Sequence, residues 1–423
     1  MTKFRAYLER QQPPKVLDLL TPAGAKSSLF VTIPCFDEPD LLESLKSLAA
    51  CHPPASTVTV IVVVNASEKA SPEVQAQNLK SIQDVLDWWE HPPRPFFHLR
   101  LLHAPALPAK WAGVGWARKI AMDAAIHALD QSEMEDGILI AFDADSTVSA
   151  NYFTAIENGF RKNNSFNFVT INFSHWVDDP ELTPSLREGI IRYELYLRYL
   201  RNAMQWSGYP HAIHTVGSSF AVRASAYVKQ GGMNRRQAGE DFHFLHKMVL
   251  LGNYGRIGEA TVYPSSRISH RVPFGTGAAL KRWEAGDQEL KTSYSLELFR
   301  TLKPLLNDPL FFFATDEQNW HVRLDTFDQR LQHCIAATKT TERLKELKKN
   351  CGDAKTFVRR FYHEISAFWI IQYLNQSEES MGGKGILEEE ATNLLSEQGV
   401  ELPQVVSARE LLEIYRCIDN SGE

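Results

Sequence analysis

Two aspartates end an apolar run in "ILIAFDADSTVSANYF" (residues 138–153): Asp143 and Asp145, with Ala144 between them. Two carboxylates at a strand end offer hard oxygen ligands, suited to a magnesium or manganese ion that keeps waters and binds substrate phosphates. The same triplet also serves as a turn with helix-capping residues, but its position after a fourth buried run favours the ligand role. A second acidic pair, Glu240 and Asp241, follows Gly239 in "GEDFHF" at the start of a helical pattern. A neighbouring charge raises a carboxyl pKa, which suits a general base, although two acids at a helix start also complement its dipole. Three cations complete the set. Lys110 precedes and Arg118 follows "GVG" (113–115), at the start of a helical pattern. Arg271 lies beside His270 in "RISHRVPFGTGAALKRW" (267–283), a stretch that Gly275 and Gly277 would make flexible.

These residues need a frame. Apolar, β-branched runs at 28–34, 58–64, 97–102 and 138–143 predict buried strands, and helical patterns at 38–50, 72–90 and 113–129 lie between them. That alternation predicts a parallel sheet covered by helices on both faces, with ligands at the C-terminal ends of its strands. Further strands are expected at 166–173 and 214–222, a long amphipathic helix at 186–206, a helical region beyond about residue 285, and a mobile loop at 375–385. The "GVG" is not a dinucleotide fingerprint: the third glycine position is Arg118, and the segment does not follow the first strand.

The segments "VTIPCFDEPDLLESLKSL", "VIVVVNAS", "GVGWARKIAMDAAI", "LIAFDADSTVSANYF" and "GGMNRRQAGEDFHFLHKM" occur in the order seen in glycosyltransferases of the GT-A fold. Over residues 28–275 the chain most resembles glycosyltransferase family 2. The resemblance implies an α/β fold, a GT-A Rossmann-like sheet with helices on both faces, followed by a mainly helical C-terminal region. The expected domains are an N-terminal extension (1–27), the GT-A domain (28–285) and the helical region (286–423). By the same resemblance Pro34, Phe36 and Glu38 lie under the base and ribose of a nucleotide-sugar donor. Asn65 stands where the family usually carries an acid, which leaves the base open. Lys110, Arg118, Asp143, Ala144, Asp145, Gly217 and Arg271 would contact the donor. Asp145 and His270 would hold Mn2+ or Mg2+, and Asp241, with Glu240 beside it, would deprotonate an acceptor hydroxyl. Inversion is the expected outcome, with a retaining transferase or a non-catalytic sugar-nucleotide-binding protein as alternatives. A nucleotidyltransferase fits less well, because "PCFDEP" is neither Gly-rich nor basic. "ALKRW" is similar to the Q-x-x-R-W of processive synthases, but Ala279 replaces the Gln.

Composition narrows the partners. The 423 residues are 44% hydrophobic and 23% charged, with a formal net charge of −6, so the chain lacks the basic footprint of a nucleic-acid binder. Five scattered cysteines without C-x-x-C spacing read as reduced thiols. No run approaches the ~18 apolar residues of a spanning helix, and the start has no signal-like apolar region. A cytoplasmic protein is expected, with peripheral membrane contact still allowed; the acceptor is left open.

Overall fold

The computed structural model describes residues 3–22, 24, 26–269, 271, 275–381 and 383–421. In chain order the first elements are α1 (Lys3–Leu8), β1 (Leu17–Leu20), β2 (Leu29–Cys35), α2 (Leu41–Ala49), β3 (Val58–Ser67), α3 (Pro72–Glu90) and β4 (His98–Leu107). Next come α4 (Val114–Gln131), β5 (Ile138–Ala141), β6 (Thr147–Val148), α5 (Tyr152–Lys162), β7 (Phe168–Phe173) and α6 (Pro184–Trp206). Then follow β8 (Phe220–Arg223), α7 (Ala224–Lys229), α8 (Glu240–Val249), β9 (Tyr254–Tyr263) and α9 (Thr276–Glu284).

Nine strands form one mixed sheet in the order β1-β4-β3-β2-β5-β8-β7-β9-β6. The β4-β3-β2-β5 core is parallel, and β2, β3 and β5 are buried on both faces because helices cover both. Leu29, Val31 and Ile33 of β2 and Val58, Val60 and Val62 of β3 pack with α2, α3 and α5 in one core cluster. The intervening residues, such as Phe30 and Ile61, are buried on the other face, where α4 packs against β2 and β3. Ala117, Ala121 and Ala125 of α4 are fully buried, and their small side chains allow a close approach.

Two expectations need correction, and one strand has no counterpart among them. Residues 214–222 are not one strand: only Phe220–Arg223 pairs, and the chain before it turns, with Ser219 N–H donating to Val216 O at 2.9 Å. The polar "GSS" supplies no alternating apolar face to hold a longer strand. Residues 375–385 are not a loop, because a helix runs over Ala367–Met381 and a strand follows at Lys384–Ile386. The chain stays helical there with Ser377 Oγ donating to Tyr373 O at 2.8 Å. Finally, β9 was not expected from the sequence. Gly255, Gly258, Arg256 and Glu259 break its apolar pattern, yet ten residues run there, parallel to β7.

The chain divides into two compact units. One comprises residues 1–183, 215–281 and 420–423, and holds the nine-stranded sheet. The other, residues 184–214 and 282–419, is mostly helical, with a small antiparallel pair, β10 (Thr292–Tyr294) and β11 (Lys384–Ile386). Within this second unit, Arg198, Glu194 and Asp419 are fully buried, the arginine paired to both acids. Trp369 and Tyr373, at helical spacing, are core residues there. Among the described residues no helix is long and apolar enough to cross a membrane.

Candidate active site

The sheet unit gathers its charged residues where β2, β3 and β5 end. β5 stops at Ala141, and Phe142 N–H still reaches Thr32 O of β2 at 3.1 Å. The chain then turns, with Ser146 N–H on Asp143 O at 3.2 Å. Ser44 of α2 donates its hydroxyl to Ala144 O at 2.9 Å, fixing the turn. Asp143 and Asp145 leave this turn toward two different groups of charges.

The first group centres on Arg118. It lies in the second turn of α4, 1% exposed, and its Nη2 donates to Asp143 Oδ1 at 2.7 Å and its Nε to Glu240 Oε1 at 3.1 Å. Burial works against the charge, but the two carboxylates outweigh it and push the guanidinium pKa up. Arg118 Nη1 is buried without a hydrogen-bond partner among the described residues. Rather than lying open to a diphosphate, Arg118 ties the first acidic motif to the second.

Glu240 and Asp241 begin α8, and Gly239 before them adopts φ +69°, a conformation glycine accepts without strain. Glu240 is buried, which raises its pKa, while Arg118 pulls it back. Burial, with the charge of Glu240 next to it, pushes the Asp241 carboxyl up to about 7. Directly over the group lies Gly217. A Cβ there would stand 3.0 Å from Asp241 Oδ2 and 3.1 Å from Arg118 Nη2. The "GVG" glycines have a packing role: a Cβ on Gly113 would meet Gln237 Cα at 2.5 Å, and one on Gly115 would meet Arg236 O at 2.5 Å. They let α4 lie against the segment leading into α8.

The second group surrounds Glu38. It is fully buried in the loop after β2, and it pairs with both Arg267 and Arg271. Burial and the charge of Asp145 raise its pKa, which the arginines oppose. Arg271 Nη2 also reaches Asp145 Oδ2 at 2.7 Å, and Arg267 pairs with Asp40 and lies 3.7 Å from Asp145. Arg267 and Asp40 were missed in the sequence. The signal was there in "RISHR", two arginines four residues apart leading out of β9.

The other expected residues are placed as follows. Pro34 is buried at the end of β2 and Phe36 is half-buried. Asn65, 2% exposed near the end of β3, has its Oδ1 buried without a hydrogen-bond partner among the described residues. Lys110 is not brought into either group: it is exposed, with its ammonium 4.9 Å from the Trp111 ring centroid. His270 lies outside the described residues. The hydroxyls of Ser146, Ser218, Ser219 and Ser266 are also buried without hydrogen-bond partners among the described residues. Buried polar atoms are normally paired, so these hydroxyls and the Asn65 Oδ1 are exceptions.

A divalent cation can be tested against this donor set. Among the described residues no three His, Cys, Asp or Glu side chains come together as a metal cage. Asp145 is a single carboxylate held by guanidinium groups. A magnesium-like or manganese-like ion there would have to displace those guanidinium groups and take its other ligands from waters and substrate phosphates.

Residues 138–285, which contain both acidic motifs and Gly217, match the model of glycosyl transferase family group 2. This segment, about a third of the chain, is similar to family 2 glycosyltransferases. No curated protein matches the chain. Among solved structures it is similar to S. aureus TarS 1-349 in complex with UDP-GlcNAc, at 13% identity and TM-score 0.40, over 90% of this chain and 95% of that one. It is also similar to a mannosyltransferase from Pyrobaculum calidifontis in complex with GDP-Man and Mn2+, at 12% identity and TM-score 0.33, over 99% and 95% of the two chains.

Proposed function

We propose that the protein moves a sugar from a nucleoside-diphosphate donor to an acceptor hydroxyl with inversion, and that Asp241 is the base. The observation that carries this reading is the meeting of Arg118, Asp143, Asp241 and Gly217 at the sheet edge, with the Asp241 carboxyl pushed up to about 7. A base with that pKa is about half ionised at neutral pH, and its ionised form can accept a proton in the transition state. Asp241 takes the acceptor's hydroxyl proton, the oxygen forms a bond to the anomeric carbon, and the bond from that carbon to the diphosphate breaks with its electron pair on the leaving group. Arg267 and Arg271, pointing at Asp145, are placed to meet the leaving group's charge. Mn2+ or Mg2+ at Asp145 would supply further neutralisation of the diphosphate. Asn65 and the first loop, Pro34 to Glu38, would hold the nucleoside.

The test is a thermal-shift panel of UDP-, GDP-, CMP- and dTDP-linked sugars, each with and without manganese, on the wild type and on Asp145→Ala. Stabilisation by one nucleotide class, strengthened by manganese and lost in Asp145→Ala, is expected. Absence of a shift with every donor would overturn the reading.

A further inference from the structure

One exposed aromatic in the sheet unit is held as if for use. Trp176 follows β7 and is 55% exposed, while His175 before it and Val177 after it are buried. The chain just before it is held: Ser174 N–H donates to Val262 O at 2.9 Å, and His175 Nε2 lies 3.3 Å from Thr276 Oγ1. One face of the indole stacks on Tyr263, the last residue of β9, with ring centroids 4.6 Å apart and planes at 27°. Such a ring is pre-ordered, so a ligand meeting its other face would lose little to ordering it.

Its place relative to the acidic turn is fixed by the ladder. Tyr263 is the partner of Thr147, and Val262 is the partner of Val148. Val262 is fully buried in the core, whereas Thr147 and Tyr263 are half-buried on the opposite side of the ladder. Asp145 lies two residues before Thr147, in the turn that leads into β6. Four residues beyond Tyr263, Arg267 reaches back to Asp145. The stacked pair therefore lies beside the reacting edge, on the β7-β9-β6 side. Asn65, the proposed base contact, is on β3 in the other half of the sheet.

We infer that Trp176, braced by Tyr263, is an acceptor platform, and that the acceptor is a saccharide presenting the face of a pyranose ring. A pyranose carries C–H bonds on its face, which suit the electron-rich face of an indole, and its hydroxyls stay at the rim in water. A nucleobase would also stack on an indole, but the base belongs to the β3 side. The inference rests on the proposed donor site, since it reads the platform as the place of the second substrate.

Ligand-observed saturation-transfer NMR with maltotriose, cellotriose, chitotriose and mannotriose tests it, on the wild type, Trp176→Ala and Trp176→Phe. A trisaccharide signal in the wild type, weakened about tenfold in apparent affinity in Trp176→Ala and partly kept in Trp176→Phe, is the expected result. Because Trp176 is exposed, the alanine variant should fold, and its melting temperature checks this directly. Equal binding by Trp176→Ala, or no signal from any trisaccharide in a wild type that binds a nucleotide sugar, would overturn the platform. A wild type that binds a trisaccharide through Trp176 but no nucleotide sugar would keep the platform and overturn the donor reading.

Discussion

As the proposed base, Asp241 would combine two roles that pull against each other. Its carboxyl is pushed up to about 7 by burial and by Glu240, so the folded protein binds a proton there that the unfolded chain releases near pH 4. Stability therefore falls as pH rises from about 4 toward 7, and the ionised carboxylate is a cost to the fold. Asp241→Asn should raise the melting temperature more at pH 8 than at pH 5, read by differential scanning calorimetry. The same variant should lose about 10²- to 10⁴-fold in kcat with donor binding retained. In the wild type, kcat/KM should rise with pH through an inflection near 7, the value to which Asp241 is pushed. Gly217→Ala should lose most activity with little change in stability, because its Cβ would press on Asp241 and Arg118. Steady-state kinetics beside a melting curve separates the two effects.

At the scale of elements, the parallel strands were the most legible part. β2, β3 and β5 are apolar runs rich in β-branched residues because both faces are buried, and α3 begins at Pro72 as its pattern predicts. The strands that frame the site from the other side were hidden. β9 carries two glycines and two charges, β6 is two residues long, and the turn holding Gly217 looked like strand because Thr215 and Val216 are β-branched. The acidic motifs were visible as types and spacing, but not the guanidinium that joins Asp143 to Glu240, since a sequence shows neither burial nor partner. Nor did it show that Gly115 is a contact surface between α4 and the approach to α8. Gly115→Ala should destabilise the protein by about 1–3 kcal/mol, because the added methyl would meet the Arg236 carbonyl. Urea unfolding would read this as a lower midpoint with an unchanged slope.

Across the whole molecule, each unit carries its own buried charges. In the helical unit Asp419 is held by Arg198 and lies 3.6 Å from Arg201, with His214 Nε2 2.9 Å away. Burial alone would raise the Asp419 pKa; the His214 hydrogen bond and the arginines instead hold it well below the usual carboxylate range. A lowered carboxyl pKa contributes stability above about pH 4 that is lost as pH falls. Asp419→Asn should cost about 3–5 kcal/mol at pH 7, as breaking a buried ion pair does, and the loss should shrink in acid. Denaturant titrations at pH 7 and pH 3.5 would check both.

The Glu38 carboxylate has a consequence for the donor. It is fully sealed from solvent, and its charge is compensated by Arg267 and Arg271. If those arginines turn toward a bound diphosphate, Glu38 loses part of its compensation, and its pKa, already raised by burial, rises further. The relief is a proton drawn from the buffer. Donor capture in this enzyme would then be a protonation reaction as well as a binding one, with a heat that changes with the buffer's ionisation enthalpy and an affinity that weakens in alkali.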